Sequence, residues 1–138
     1  MSTLTVIKTQ IASAWLPLPP SSNNAYVNTQ LGRAKSEALE AWEEEAGWIW
    51  KTSGEMPRAT LDARMTWGWD GRFYFPTLAQ RDLDNCYKHI GDVIVRVVFK
   101  GKLDDRRLIW DEHWKMVSRA KPGVYVRVYE VPYAAMVE

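Results

Sequence analysis

The chain has 138 residues, 46% hydrophobic and 25% charged, which sets the scale of one compact domain with a real core and excludes a low-complexity chain. Its single cysteine, Cys86, excludes an internal disulfide framework, and no apolar run approaches the ~18 residues a membrane-spanning helix needs. A formal net charge of +1 does not mark a nucleic-acid binder, so the distribution of charge must carry any such argument.

Residues 3–15 have strand-like composition with partial alternation, and their single lysine is followed by polar residues, unlike a signal peptide. A soluble cytoplasmic protein without a membrane segment is therefore expected. The run from Pro17 to Asn24 ends this strand, because proline lacks an amide donor and Asn and Ser favour turns. Tyr26–Arg33 reads as a loop or a short extended piece. Ser36 is placed to cap a helix reaching about Trp50, with Leu39, Trp42, Ala46 and Ile49 at helical spacing and an acidic stripe on the remaining, solvated faces.

Residues 59–69 alternate as a strand, with Leu61, Ala63, Met65 and Trp67 on one side, and Asp70-Gly71 suggests a turn after it. Phe73–Gln80 continues partly extended. Leu83, Tyr87, Ile90, Ile94 and Val97 then recur at steps of four and three, the apolar stripe of a second helix, with Asp84, Lys88 and Asp92 roughly opposite. Lys100-Gly101-Lys102 breaks the pattern. Residues 106–117 and 123–131 read as two further strands, in which Val124, Val126 and Val128 alternate with Tyr125, Arg127 and Tyr129. The expected fold is of the α/β class (α+β type): a single domain over residues 1–138, with a mixed β-sheet and two main helices.

Three features converge around the second helix. Asp82 and Asp84 stand two residues apart where it begins, so on extended backbone both carboxylates project to one side and can share a cation. Lys88 lies one turn beyond Asp84. Asp104-Asp105 follows the helix after a Gly-containing loop. Between Arg81 and Arg107 seven basic residues stand among five aspartates, the local positive charge that phosphate binding requires. Spacing alone leaves plainer readings open: Asp82 or Asp84 as a helix N-cap, Asp104-Asp105 as a turn, and Lys88 as an i,i+4 partner of Asp84.

The order Pro19-Pro20-Ser21-Ser22-Asn23, then Arg81-Asp82-Leu83-Asp84-Asn85 with Lys88, then Asp92, then Asp104-Asp105, resembles the RusA family of Holliday-junction resolvases. The matches span about residues 16–131, and the Asp-Leu-Asp-Asn-x-x-Lys segment is the specific one. The resemblance implies a homodimeric, mixed α/β endodeoxyribonuclease of recombination and repair, chromosomal or from a phage or prophage. It would resolve four-way DNA junctions by paired nicks near the crossover, using Mg²⁺ or Mn²⁺. It further implies Asp82, Asp84 and Asp105 as metal-binding catalytic carboxylates and Lys88 as the catalytic lysine. Asp92, Asp104 and Asn85 take supporting roles. The stretch from Asp92 to Asp105 is slightly longer than the family pattern, which bears on the metal geometry; its apolar part, Val93–Phe99, is expected either to extend the helix or to join a dimer interface.

Arg33, Lys35, Arg72, Arg81, Arg96, Lys100, Lys102, Arg106 and Arg107 are the candidates for phosphate contacts. His89 is expected at the surface, with DNA contact as the alternative, Cys86 buried or half-buried and not a nucleophile, Trp67 and Trp69 packed in the sheet, and Trp110 and Trp114 in the core, with base stacking as the alternative. Two other functions fit the same residues. One is a module that holds branched or single-stranded DNA without cutting it; the other is a phosphohydrolase acting on small phosphoesters.

Overall fold

In the computed structural model, which describes residues 8–58, 65–77, 84–102 and 108–132, alternation along the strands sorts residues onto two unlike faces of one sheet. The first strand, β1 (Thr9–Leu16), buries Ala12, Ala14 and Leu16, and Pro17, Pro19 and Pro20 follow it. A single turn, α1 (Ser22–Ala25), leads into a hairpin of β2 (Tyr26–Thr29) and β3 (Gly32–Lys35). Of the two readings of that stretch, a loop or a short extended piece, the extended one holds, as two short strands. Thr29 closes the hairpin: its Oγ1 donates to the Gly32 carbonyl at 2.7 Å and accepts from the Leu31 amide at 3.2 Å. Gly32 takes φ of 117°, a conformation that favours glycine.

Helix α2 (Glu37–Ser53) begins where the sequence predicts, with Ser36 Oγ accepting from the Leu39 amide at 3.1 Å. The same hydroxyl donates to the Asn24 carbonyl at 2.5 Å, so one side chain ties the helix start to α1. Leu39, Trp42, Ala46 and Trp50 are buried on its inner side, and so is Glu43, a departure from a wholly solvated acidic stripe.

β4 (Met65–Phe75) runs straight through Asp70-Gly71, where a turn was expected. Asp70 is held in the strand by a two-pronged bond to Arg127 on the neighbouring strand, with Nε–Oδ1 and Nη2–Oδ2 both 2.9 Å. A Cβ on Gly71 would meet the rings of Phe73 and Trp69 at 2.9 Å, so its missing side chain makes room for packing rather than for a bend. Helix α3 (Asp84–Val93) follows, and a π-helical turn, Ile94–Val98, prolongs it. The Phe99 amide bonds to the Ile94 carbonyl five residues back, at 3.3 Å. The π-turn bears out the reading of Val93–Phe99 as a helix extension, and Val93, Ile94, Val97, Val98 and Phe99 are all buried in the chain's own core. Lys100 and Gly101, at φ of 55° and 70°, end the helix at the expected break.

β5 (Leu108–Val117) and β6 (Gly123–Pro132) complete a four-stranded sheet in the order β1-β6-β4-β5. β4 and β5 are parallel, as a strand-helix-strand crossover allows, and the other pairs are antiparallel. Ala12, Ala14, Leu16, Trp69, Phe73, Val124, Val126 and Val128 form the inner face, packed with the buried sides of α2, α3 and the π-turn. The result is a small α+β domain with a mixed four-stranded sheet, a separate two-stranded sheet and two main helices. Among the described residues no helix is long and apolar enough to cross a membrane.

Candidate functional site

Asp84 and Asn85 are the first two residues of α3, and Lys88 lies exposed one turn further on. Arg81, Asp82, Asp104, Asp105, Arg106 and Arg107 fall outside the described residues, as do the side chains of Asp84 and Asn85. In chain order, Asp82 and Asp84 stand where the helical unit formed by α3 and the π-turn begins, and Asp104-Asp105 come after its end. Among the described residues no group of three or more His, Cys, Asp or Glu side chains is gathered as a metal site.

The described surroundings of Lys88 are built by three elements. Tyr26, just after the Pro19–Asn23 motif, lies beside α3, with the Lys88 ammonium 5.9 Å from its ring centroid and the Arg33 guanidinium at 4.4 Å. Two residues that are 62 positions apart in sequence thus become neighbours. Behind this ring sits His89, which is buried with only 4% exposure, between Tyr26 at 6.0 Å and Trp42 at 6.4 Å. It is not the surface histidine that was expected. Its position three residues after Cys86 and four before Val93 carries it into the buried stripe, which is centred one residue from where Tyr87 would place it.

Burial holds the His89 imidazole below its ordinary pKa of 6.5, against the opposite pull of Asp92 and Glu43. Asp92 is exposed as a residue, yet the protein around its carboxyl raises that group above 3.8, while Lys88, Lys35 and His89 draw it back. Here desolvation outweighs the nearby cations.

Glu43 organises the basic side chains on the same flank. Lys35 Nζ reaches its carboxylate at 2.9 Å, Arg96 Nη1 lies 3.6 Å away, and Arg96 Nη2 donates to the Glu43 carbonyl at 2.8 Å. Two of the nine proposed phosphate ligands, Lys35 and Arg96, are therefore already partly neutralised. Arg33 rests on Tyr26, Arg72 lies on the far face of the sheet, and Lys100 and Lys102 are exposed beyond the π-turn. A signal for Glu43 existed in the sequence: it lies four residues after Leu39 and three before Ala46, on the apolar stripe itself.

A cleft of about 620 Å³ opens between α2 and the π-turn. Its charged lining balances Glu40, Glu43 and Glu44 against Lys35, Lys51 and Arg96, so it offers no net attraction to phosphate. On β5, His113 stacks on Tyr87 of α3 at 5.0 Å and lies 4.8 Å from Trp69, while its Nε2 lies 3.1 Å from Asp111 Oδ1. This pair, overlooked in the sequence because the histidine stands alone there, fixes α3 against the parallel strands.

Cys86, Trp67 and Trp69 are buried as expected, but Trp114 is 43% exposed and Trp110 is only partly covered. Both tryptophans alternate onto the side of β5 away from the helices and so escape the core. Compared with known proteins, the chain matches no family model and no curated sequence.

Proposed function

We propose that this protein is a metal-dependent endodeoxyribonuclease that acts on branched DNA, foremost four-way junctions, as a homodimer in the cytoplasm. The observation that carries the reading is the sequence run Arg81-Asp82-Leu83-Asp84-Asn85, whose last two residues open α3, with Lys88 exposed one turn on. Arg33 and Tyr26 beside Lys88 add a cation and a ring to the flank that would meet a DNA backbone.

Asp82, Asp84 and Asp105 would hold Mg²⁺ or Mn²⁺, because an all-carboxylate set with no sulfur or imidazole donor suits a hard cation. Such a cation supplies an activated water and stabilises the leaving alkoxide. Lys88 would bind a phosphate oxygen and offset its charge. Asn85, Asp92 and Asp104 would support the site, and Lys100, Lys102, Arg81, Arg106 and Arg107 would hold flanking phosphates. Two identical sites related by a two-fold fit the near two-fold of an opened junction, so paired strands would be nicked.

The test is cleavage of a synthetic four-way junction in Mg²⁺, with linear duplex as control. Paired nicks in the junction alone are expected, with the rate falling at least about a hundredfold in Asp84→Asn while binding persists. Tight junction binding with no cutting in either metal would sink the nuclease reading.

A further inference from the structure

The sheet face turned away from α2 and α3 is covered by no helix among the described residues, and its composition is unlike that of a solvated surface. Strand register sets Trp15, Tyr125, Arg72 and Trp114 side by side, one from each of the four strands. At about 4.8 Å per strand the row is roughly 14 Å long. Tyr74 packs on Trp15 with ring centroids 5.3 Å apart, and the Lys121 ammonium lies 4.7 Å from the Trp15 ring centroid. Towards the other end of the face Trp110 stacks on Tyr129 at 5.8 Å, and Lys8 sits over both rings.

Charge on this face is one-sided. Arg127 is neutralised by Asp70, whereas Arg72 has no ion-pair partner among the described residues. Lys8 and Lys121 add two further cations, against Glu112, which register places beside Asp70. Aromatic rings in a row, half-buried at Trp15 and Tyr125 and exposed at Trp114, with cations between and above them that no carboxylate neutralises among the described residues, are what exposed bases and their phosphates need. Rings stack on base faces without regard to sequence, and the cations hold the backbone. A duplex hides its base faces, and an apolar protein partner would leave Arg72 unpaired and desolvated.

We propose that this face is a binding platform for single-stranded DNA, seating two or three successive bases on Trp15, Tyr125 and Trp114, with phosphate held by Arg72 and Lys121. The platform needs no carboxylate and no metal, so it stands or falls separately from the nuclease reading.

The test is fluorescence anisotropy of labelled dT12 with the full chain in EDTA, across a salt series, with a duplex of equal length as competitor. Trp114→Ala removes a side chain already 43% exposed, and is expected to weaken dT12 binding about tenfold. Arg72→Gln is expected to lower the slope of log affinity against log salt by about 0.7. Trp48→Ala, an exposed tryptophan on α2, is expected to bind like the native chain, and duplex to compete poorly. Native affinity in both sheet variants, with circular dichroism unchanged, would overturn the proposal. So would a monomer–dimer equilibrium that both variants shift while dT12 fails to bind, since the face would then dock a second copy.

Discussion

Asp70 is 2% exposed along its side chain and faces Arg127, which keeps 25% of its own side-chain surface in water. Removing the negative partner leaves a guanidinium that is only partly solvated. Asp70→Asn is therefore expected to cost about 2–3 kcal/mol in urea unfolding, below the ~3–5 kcal/mol of a fully buried pair because water still reaches Arg127. His89 gives a second residue-scale expectation. Its folded pKa lies below the 6.5 of the free side chain, so the unfolded chain takes up the proton more readily. Stability from this group is full above 6.5 and is lost as pH falls towards the folded value. Asp92 acts with the opposite sign above its ordinary 3.8, because the folded chain holds that proton better. Thermal midpoints measured from pH 5 to 7 are expected to rise less steeply in His89→Gln than in the native chain. Neither Asp70 nor His89 was legible in the sequence. Asp-Gly is a strong local turn signal that a cross-strand guanidinium overrode, and a lone histidine gives no hint that two aromatic elements close over it.

At the scale of elements, local chemistry decided most of the outcome. The α2 start was legible because Ser36 caps the helix there, accepting from the Leu39 amide. It also donates to Asn24, so Ser36→Ala is expected to cost about 1–2 kcal/mol and to loosen the α1–α2 junction, measurable as faster amide exchange at Leu39. α3 was legible from its apolar repeat, but the shift into a π-turn at Ile94 was not. A step of five residues leaves no period in so short a run, and the buried block Val93–Phe99 suits either winding. β4 runs on to Phe75, beyond the residue 69 that alternation suggested, since that end follows pairing with β5 and β6 rather than its own composition. The candidate site is legible as a motif, Asp82 to Lys88, while the ring of Tyr26 beside it is a tertiary contact that no spacing encodes.

Across the whole molecule, charge is sorted rather than summed. The net value of +1 conceals a flank where Lys35 and Arg96 are tied to one glutamate. Glu43→Gln would remove the carboxylate that neutralises both cations, while Arg96 keeps its bond to the backbone carbonyl. On the junction-binding reading it is expected to tighten binding at low salt and to steepen the salt dependence by roughly one to two units of log slope, with little change at high salt. An unchanged slope would show that this flank does not meet DNA.

β6 lies between β1 and β4, although it is the last described strand in chain order. Until it arrives, β1 keeps only the Ser13–Glu55 bridge among the described residues, and β4 presents an open edge beside Trp67, Trp69 and Phe73. The search for Thr9–Glu130 and Met65–Pro132 pairing is long in sequence, which places folding in the slow range of about milliseconds to seconds. A chain stalled before β6 would carry a sticky aromatic edge, so cellular yield should depend less on the stability of the finished fold than on how quickly its central strand is delivered.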